Sequence, residues 1–374
     1  MKNTLSASYS DSKNHYEILD GLRGVAAIVV VIFHLLETFS GGNNQKQIIN
    51  HGYLAVDFFF VLSGFVIGYA YDDRWSRMSL KDFFKRRLIR LHPMILVGML
   101  IGALTFYGQG GVVFPGISEV PVWKLLLVFL IGCTLLPVPP SMDIRGWTEM
   151  HTLDGPAWSL FFEYIANILY ALFVRKFSNK VLAVLVFVSA CVLTHMAITR
   201  GDVIGGWSLD PTQIYVGFTR LMFPFFGGLL LSRMVKPGTV NHAFLWCSLL
   251  LIIILSVPRI GGTEHIWMNG LYVAFCIIVL FPVIVYMGAS GKIGGKRALA
   301  VNRFLGDISY PLYITHYPLI YLFTAWVGEH KGMNIADGAP MALLVLALSI
   351  LVAYVSVRWY DVPVRKWLTE KWMK

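Results

Sequence analysis

The sequence predicts an all-α, polytopic membrane protein. About ten transmembrane helices are expected, with one further partial or re-entrant segment and both termini in the cytoplasm. Three observations predict it. Of the 374 residues, 56% are hydrophobic and only 14% charged, where a soluble domain would carry charge on roughly a quarter. Apolar runs near the roughly 20 residues needed to span a bilayer recur from end to end. Lysine and arginine gather in alternate short loops between those runs, as they do in cytoplasmic loops.

Eleven apolar segments can be marked, at 21–40, 53–71, 93–108, 122–138, 156–174, 180–199, 214–232, 243–260, 267–289, 307–327 and 340–360, the third and fourth being the shortest. Residues 1–17 are polar and mixed in charge. They lack the basic start, short apolar core and cleavage site of a secretory signal, so the first segment is expected to be retained as a helix. Residues 18–368 read as one transmembrane domain, between a cytoplasmic tail at 1–17 and another at 369–374.

Loop charge orients the chain. The loop after the second segment holds Arg74, Arg77, Lys81, Lys85, Arg86, Arg87 and Arg90. The loops after the fifth, seventh and ninth segments are also basic, as is the C-terminal tail. All are expected in the cytoplasm, whereas 41–52, 109–121, 200–213, 261–266 and 328–339 are poor in lysine and arginine. Three full crossings between the basic loops before segment three and after segment five would put those loops on opposite sides. Segment three or segment four is therefore expected not to cross fully.

The net charge of +10 belongs to these loops, so nucleic acid is not an expected partner. Cys133, Cys191, Cys247 and Cys276 all lie in apolar segments. They have neither metal-ligand spacing nor a disulfide framework, and read as small core residues. No metal set is visible.

Ionisable residues inside a membrane are costly and are functional candidates by default. Arg23 and His34 lie eleven positions apart, about three helical turns or roughly 16 Å of rise, and therefore share a face. Together they make a polar stripe reaching inward from the cytoplasm. Glu37, three residues beyond His34, either orients its ring or marks the outer mouth of the helix. Asp57 in "GYLAVDFFFVLSGF" needs a partner, Arg23 or His34, and structural pairing is its simplest reading. Ser63 and Gly64 in the same stretch suggest close helix packing.

In "KDFFKRRLIRLHP", Arg87 and Arg90 stand at i and i+3 on one face of a helix that Pro93 is expected to end. They are either an anionic-lipid anchor or a phosphate grip. Trp158 suits the interfacial belt, while Glu163, about a turn and a half into the fifth helix, must face protein or water. Tyr313 and His316 share a face in "DISYPLYITHYPLIYLF" and are either belt and packing groups or part of a site.

Taken together these motifs resemble the bacterial integral-membrane acyltransferases of the acyltransferase-3 type, from about Asp20 to Trp367. The resemblance rests on "LDGLRGVAAIVVVIFH", "VDFFFVLSGFVI", "RRLIRLHP", "AWSLFFEYIANILY", "RLMFPFFGGLLL", "LGDISYPLYITHYPL" and "YDVPVRKWL", which occur in the family's order. It implies a multi-pass protein of the bacterial inner membrane. The implied activity is O-acyl transfer, most often O-acetyl, from cytoplasmic acyl-coenzyme A (acetyl-CoA) to a cell-surface or exported glycan or lipid-linked saccharide. It suggests Arg23, Arg87 and Arg90 for the donor and His34 for the chemistry, with Glu37 and Glu163 as further catalytic candidates. Asp57, Trp158, Tyr313 and His316 are candidates for substrate contact. The hydrolase-like domain common on the family's C-terminal side is not among these residues, which leaves the acceptor open and admits a small secondary metabolite. His34 acts either as general base on the acceptor hydroxyl or as a carrier of the acyl group. The competing readings are a transporter or flippase for a glycan or small molecule, an acyltransferase of the unrelated fatty-acyl class, and a structural membrane protein. Oligomeric state is not legible.

Overall fold

A computed structural model describes residues 15–43 and 45–373. Residues 1–14 of the expected N-terminal tail, and Lys374 of the C-terminal one, lie outside the described residues. In chain order the helices are α1 (Glu17–Ser40), α2 (Ala55–Tyr71), α3 (Leu80–Thr105), α4 (Val122–Cys133), α5 (Ala157–Leu172), α6 (Asn179–Arg200) and α7 (Pro211–Met234). There follow α8 (Ala243–Ser256), α9 (Ile266–Phe275), α10 (Phe281–Ala289), α11 (Lys296–Thr315), α12 (Tyr317–Glu329), α13 (Ile335–Ser356) and α14 (Val362–Trp372). A π-helical turn, Cys276–Leu280, joins α9 to α10, and another, Val357–Asp361, joins α13 to α14. The protein is all-α and polytopic. Among the described residues, seven helices or joined helices are long and apolar enough to cross a membrane. The shorter apolar α5 and α8, and the broken pair α11–α12, complete the bundle.

Hydrogen bonds sort the connections onto two faces. On one, Arg233 at the end of α7 binds Asp72 after α2 and the carbonyl of Phe177 after α5. Gly238 after α7 donates to Ser290 after α10, and Lys85 reaches the carbonyl of Trp372. This basic face holds both ends of the described chain, since Arg303 also pairs with Glu17. On the opposite face His51 meets Val257, Asn269 donates to Gly201, and Val112 donates to Glu329. Met150 donates to Trp207 there as well. The chain therefore leaves and rejoins the opposite face around α4, so the fourth segment is the one that does not cross. Ten passes remain.

The chain from α4 to α5 is re-entrant. Residues 149–160 are all buried, although 149–156 are not α-helical. Such backbone is tolerated at membrane depth only inside protein. Arg145 clamps it: the guanidinium donates twice to the carbonyl of Thr152, binds Gln109 in the turn after α3, and lies 3.4 Å from the ring centre of Tyr321.

Pro93 does not end a helix. The basic segment and the third apolar segment form one 26-residue helix that starts at a Ser79–Asp82 capping box and runs through Pro93. The proline removes the amide bond to the Ile89 carbonyl, and the helix continues through it, packed beside α11, whose Tyr310 hydroxyl donates to the carbonyl of Leu91. Cys247 and Cys276 are buried as expected, whereas Cys191 is exposed on the outer side of α6.

Small residues bring the central helices together. Gly64 of α2 lies against the Phe225 backbone of α7, and Gly228 of α7 against the Val61 carbonyl of α2, as the Ser63–Gly64 pair suggested. Any side chain at Gly64 would enter that backbone. Gly64→Leu is expected to cost about 1–3 kcal/mol or more through overpacking, seen as a lower thermal midpoint in detergent; an unchanged midpoint would contradict this close crossing.

Candidate functional site

Arg23 and His34 stand on the face of α1 turned towards α11 and α12, as their spacing predicts. At the basic end, Arg23 donates from Nε to Ser309 Oγ at 2.7 Å and pairs with Asp20 one turn earlier at 3.0 Å. Its side chain is 25% exposed.

Three turns further along, His34 is about 9 Å from the end of α1 by helical rise, nearer the opposite face than the basic one. Its Nδ1 is 2.8 Å from Oε2 of Glu37. A carboxylate only accepts, so Nδ1 of the neutral ring carries the proton and Nε2 presents a lone pair. Glu37 thus orients the ring, and at 32% exposure it also borders the mouth; the two sequence readings of this residue are both met. The His34 ring stacks on His316 at 5.7 Å and meets Tyr317 edge-on at 4.8 Å.

His316 occupies the break between α11 and α12. Its Nδ1 lies 3.0 and 2.9 Å from the carbonyls of Leu312 and Tyr313, which only accept. This fixes the proton on Nδ1 and the lone pair on Nε2. The ring is fully buried and Nε2 has no hydrogen-bond partner among the described residues. Two stacked imidazoles, each with its lone pair on Nε2, therefore stand together in the half of the bundle towards the opposite face. Tyr317, not singled out from the sequence, touches both. The Tyr-Pro step after His316 was the available signal for a helix break at that point.

The structure parts the two arginines of R-x-x-R. Arg87 is buried and donates to Glu163 Oε1 at 2.7 Å, the same oxygen that accepts from Ser63 at 2.8 Å. Arg90 is exposed. The pair is thus one structural cation and one accessible one, because α5 carries Glu163 against only the first.

Asp57 pairs with neither Arg23 nor His34. Its fully buried carboxylate takes a two-pronged bond from Arg220 of α7, at 2.7 and 3.2 Å. Arg220 also donates to the carbonyls of Tyr53 and Gly205. Trp158 is not an interfacial belt residue: it is buried, with the Arg220 guanidinium 5.0 Å from its ring centre, because the Gly206 turn before α7 packs against its ring. Tyr313 is buried, bonded to Ser159 at 2.8 Å and packed edge-on against Phe59. It joins α5 to α11 beside His316. Sequence reading missed Arg145, Glu149 and Asp154, since "DIRGWTEMHTLDGP" has the composition of a surface loop.

Residues 16–358 match the family described as an acyltransferase domain, Acyl_transf_3. The chain is 32% identical over 183 residues to protein 2 in the picA locus of Rhizobium radiobacter, covering 47% of this chain and 91% of that one. It is 26% identical to the peptidoglycan O-acetyltransferase OatA of Listeria monocytogenes, over 95% of this chain and 56% of that protein. It is 24% identical to the O-acetyltransferase OatA of Staphylococcus aureus, over 93% of this chain and 57% of that protein. The chain therefore spans little more than half the length of the two O-acetyltransferases. No solved structure matches it.

Proposed function

The chain belongs to the acyltransferase-3 family, and from that premise we propose that it transfers an acetyl group from cytoplasmic acetyl-CoA to a hydroxyl of a cell-envelope glycan, in the inner membrane of a bacterium. The observation that carries this reading is the stripe on α1. An accessible guanidinium at the basic face and an oriented imidazole near the opposite face share one side of one helix, about 16 Å apart by rise.

On this reading the basic face is cytoplasmic. Arg23 and Arg90 hold the phosphates of the donor by charge-assisted hydrogen bonds, and Arg87 is fixed by Glu163 to shape the floor between them. The pantetheine arm runs along α1 and brings the thioester to His34. His34 Nε2 takes the proton of the acceptor hydroxyl as that oxygen attacks the thioester carbonyl. The C–S bond breaks, the thiolate leaves, and the proton held on His34 returns to it. Glu37 keeps the ring in the reactive tautomer and stabilises the imidazolium formed in passing.

Acetyl-CoA binding to the purified protein tests the donor side. Arg90→Ala is expected to weaken binding about tenfold or more with an unchanged melting midpoint. Arg87→Ala is expected to lower that midpoint, because Glu163 loses its partner. Equal affinity in wild type and Arg90→Ala would overturn the donor assignment.

A further inference from the structure

The re-entrant chain meets the neighbours of His34 at one glycine. Gly155 is buried, and a methyl group built on it would stand 2.9 Å from Glu149 Oε1, 2.9 Å from Cε1 of the Tyr317 ring and 3.0 Å from the Tyr321 hydroxyl oxygen. These distances fall well inside the roughly 3.5–4.0 Å of carbon van der Waals contact. The backbone φ of Gly155 is not positive, so the close approach of these three side chains, and not the turn itself, requires glycine there.

The three side chains belong to one connected path. Glu149 Oε2 accepts from the Tyr321 hydroxyl at 2.5 Å and lies 3.9 Å from Arg145 Nε. The Arg145 guanidinium covers the Tyr321 ring, 3.4 Å from its centre. Tyr321 meets Tyr317, one turn earlier on α12, edge to face with 4.7 Å between ring centres. Tyr317 meets His34 in the same way at 4.8 Å. Glu149, Arg145 and Tyr321 are buried. In a close-packed interior a displacement at one of these groups is passed to the next.

His34 is therefore held by two different devices. Glu37, on α1 itself, decides which ring nitrogen carries the proton. The edge of Tyr317, on α12, limits where the ring can lie, and the re-entrant chain backs Tyr317. Buried charges at membrane depth are costly, and the acyl-transfer scheme has no other use for Glu149.

We propose that Glu149 and Gly155 are positioning residues for acyl transfer: through Tyr321 and Tyr317 the re-entrant chain sets the place of the His34 ring. This rests on the acyl-transfer reading, and the test separates the two. The readout is free thiol released from acetyl-CoA by the purified protein, with envelope glycan from a host strain deleted for the chain as acceptor. Acetyl-CoA affinity and melting midpoint are measured on each protein. Gly155→Ala is expected to lower kcat about tenfold or more, since misplacing a reacting group by about 1 Å can cost roughly 10²-fold. Its donor KM and acetyl-CoA affinity are expected within about twofold of wild type. Glu149→Ala is expected to behave alike, and Glu149→Gln, which keeps an acceptor for the Tyr321 hydroxyl, to retain most of the rate. Tyr317→Leu is expected to be slow by itself, and adding Gly155→Ala to it to lower kcat by less than about twofold more, because the path is already cut. Wild-type kcat in Gly155→Ala, or losses that multiply in the Tyr317→Leu background, would overturn the positioning role. If Glu149→Ala does not fold, Gly155→Ala decides on the same readouts. A Gly155→Ala protein that itself does not fold, or that loses donor affinity along with rate, would overturn the role as well. If wild type releases no thiol above a protein-free sample, the acyl-transfer reading itself fails, and the positioning role with it.

Discussion

His34→Ala is expected to slow acyl transfer by about 10²–10⁴-fold, the range contributed by a positioned general base, while acetyl-CoA affinity stays near wild type. The separation follows from the geometry: His34 lies about three turns from Arg23, so the phosphate-binding end is left intact. Glu37→Gln keeps a hydrogen-bond acceptor for Nδ1 but removes the charge that stabilises the imidazolium. It is expected to have a smaller effect in the same direction, on kcat rather than on the donor KM. Accumulation of acetylated His34 when acceptor is withheld would replace the direct route with a relay through that ring. Full activity in His34→Ala would remove His34 from the chemistry altogether.

The largest structural effect is expected at Arg220, which is 2% exposed against a fully buried Asp57. Arg220→Met leaves Asp57 buried without its cation and is expected to cost about 3–5 kcal/mol. The double variant Asp57→Leu/Arg220→Met removes both charges and is expected to recover most of that loss. Unfolding in a denaturing detergent titration measures both. A single variant as stable as wild type, or a double variant less stable than the sum of the singles, would contradict the pairing. The position is structural in a wider sense, since Arg220 ties α7 to the Tyr53 carbonyl before α2, to the Gly205 loop and to Trp158 on α5.

What the sequence made legible follows from periodicity and charge. The shared face of Arg23 and His34 is set by helical periodicity alone, and no tertiary contact is needed to read it. That segment three or segment four crosses only in part follows from counting basic loops, and the chain before and after α4 meets the same face. The close crossing at Ser63 and Gly64 follows from the size of the residues.

What was not legible depends on contacts between distant segments. The partner of Asp57 is Arg220, 163 positions away, and no local pattern distinguishes it from Arg23. Trp158 sits near a helix start, which suggested the lipid interface, but the distant turn at Gly206 packs against its ring. Arg145, Glu149 and Asp154 lie in a polar stretch that reads as a solvated loop; only its fold into the bundle makes three charged residues costly and therefore informative. Arg87 and Arg90 look equivalent at i and i+3, and it is α5, supplying Glu163 to one of them, that makes them different.

The central claim is that one helix connects a donor grip on the basic face to a reacting imidazole near the other. Sealed vesicles carrying the protein in a defined orientation, with acetyl-labelled acetyl-CoA on the basic side only and envelope glycan on the other side only, test it most directly. The account predicts base-labile acetyl label on the glycan with wild type and about 10²–10⁴-fold less with His34→Ala. Label appearing equally with His34→Ala, or only when donor and glycan share the same side, would contradict it.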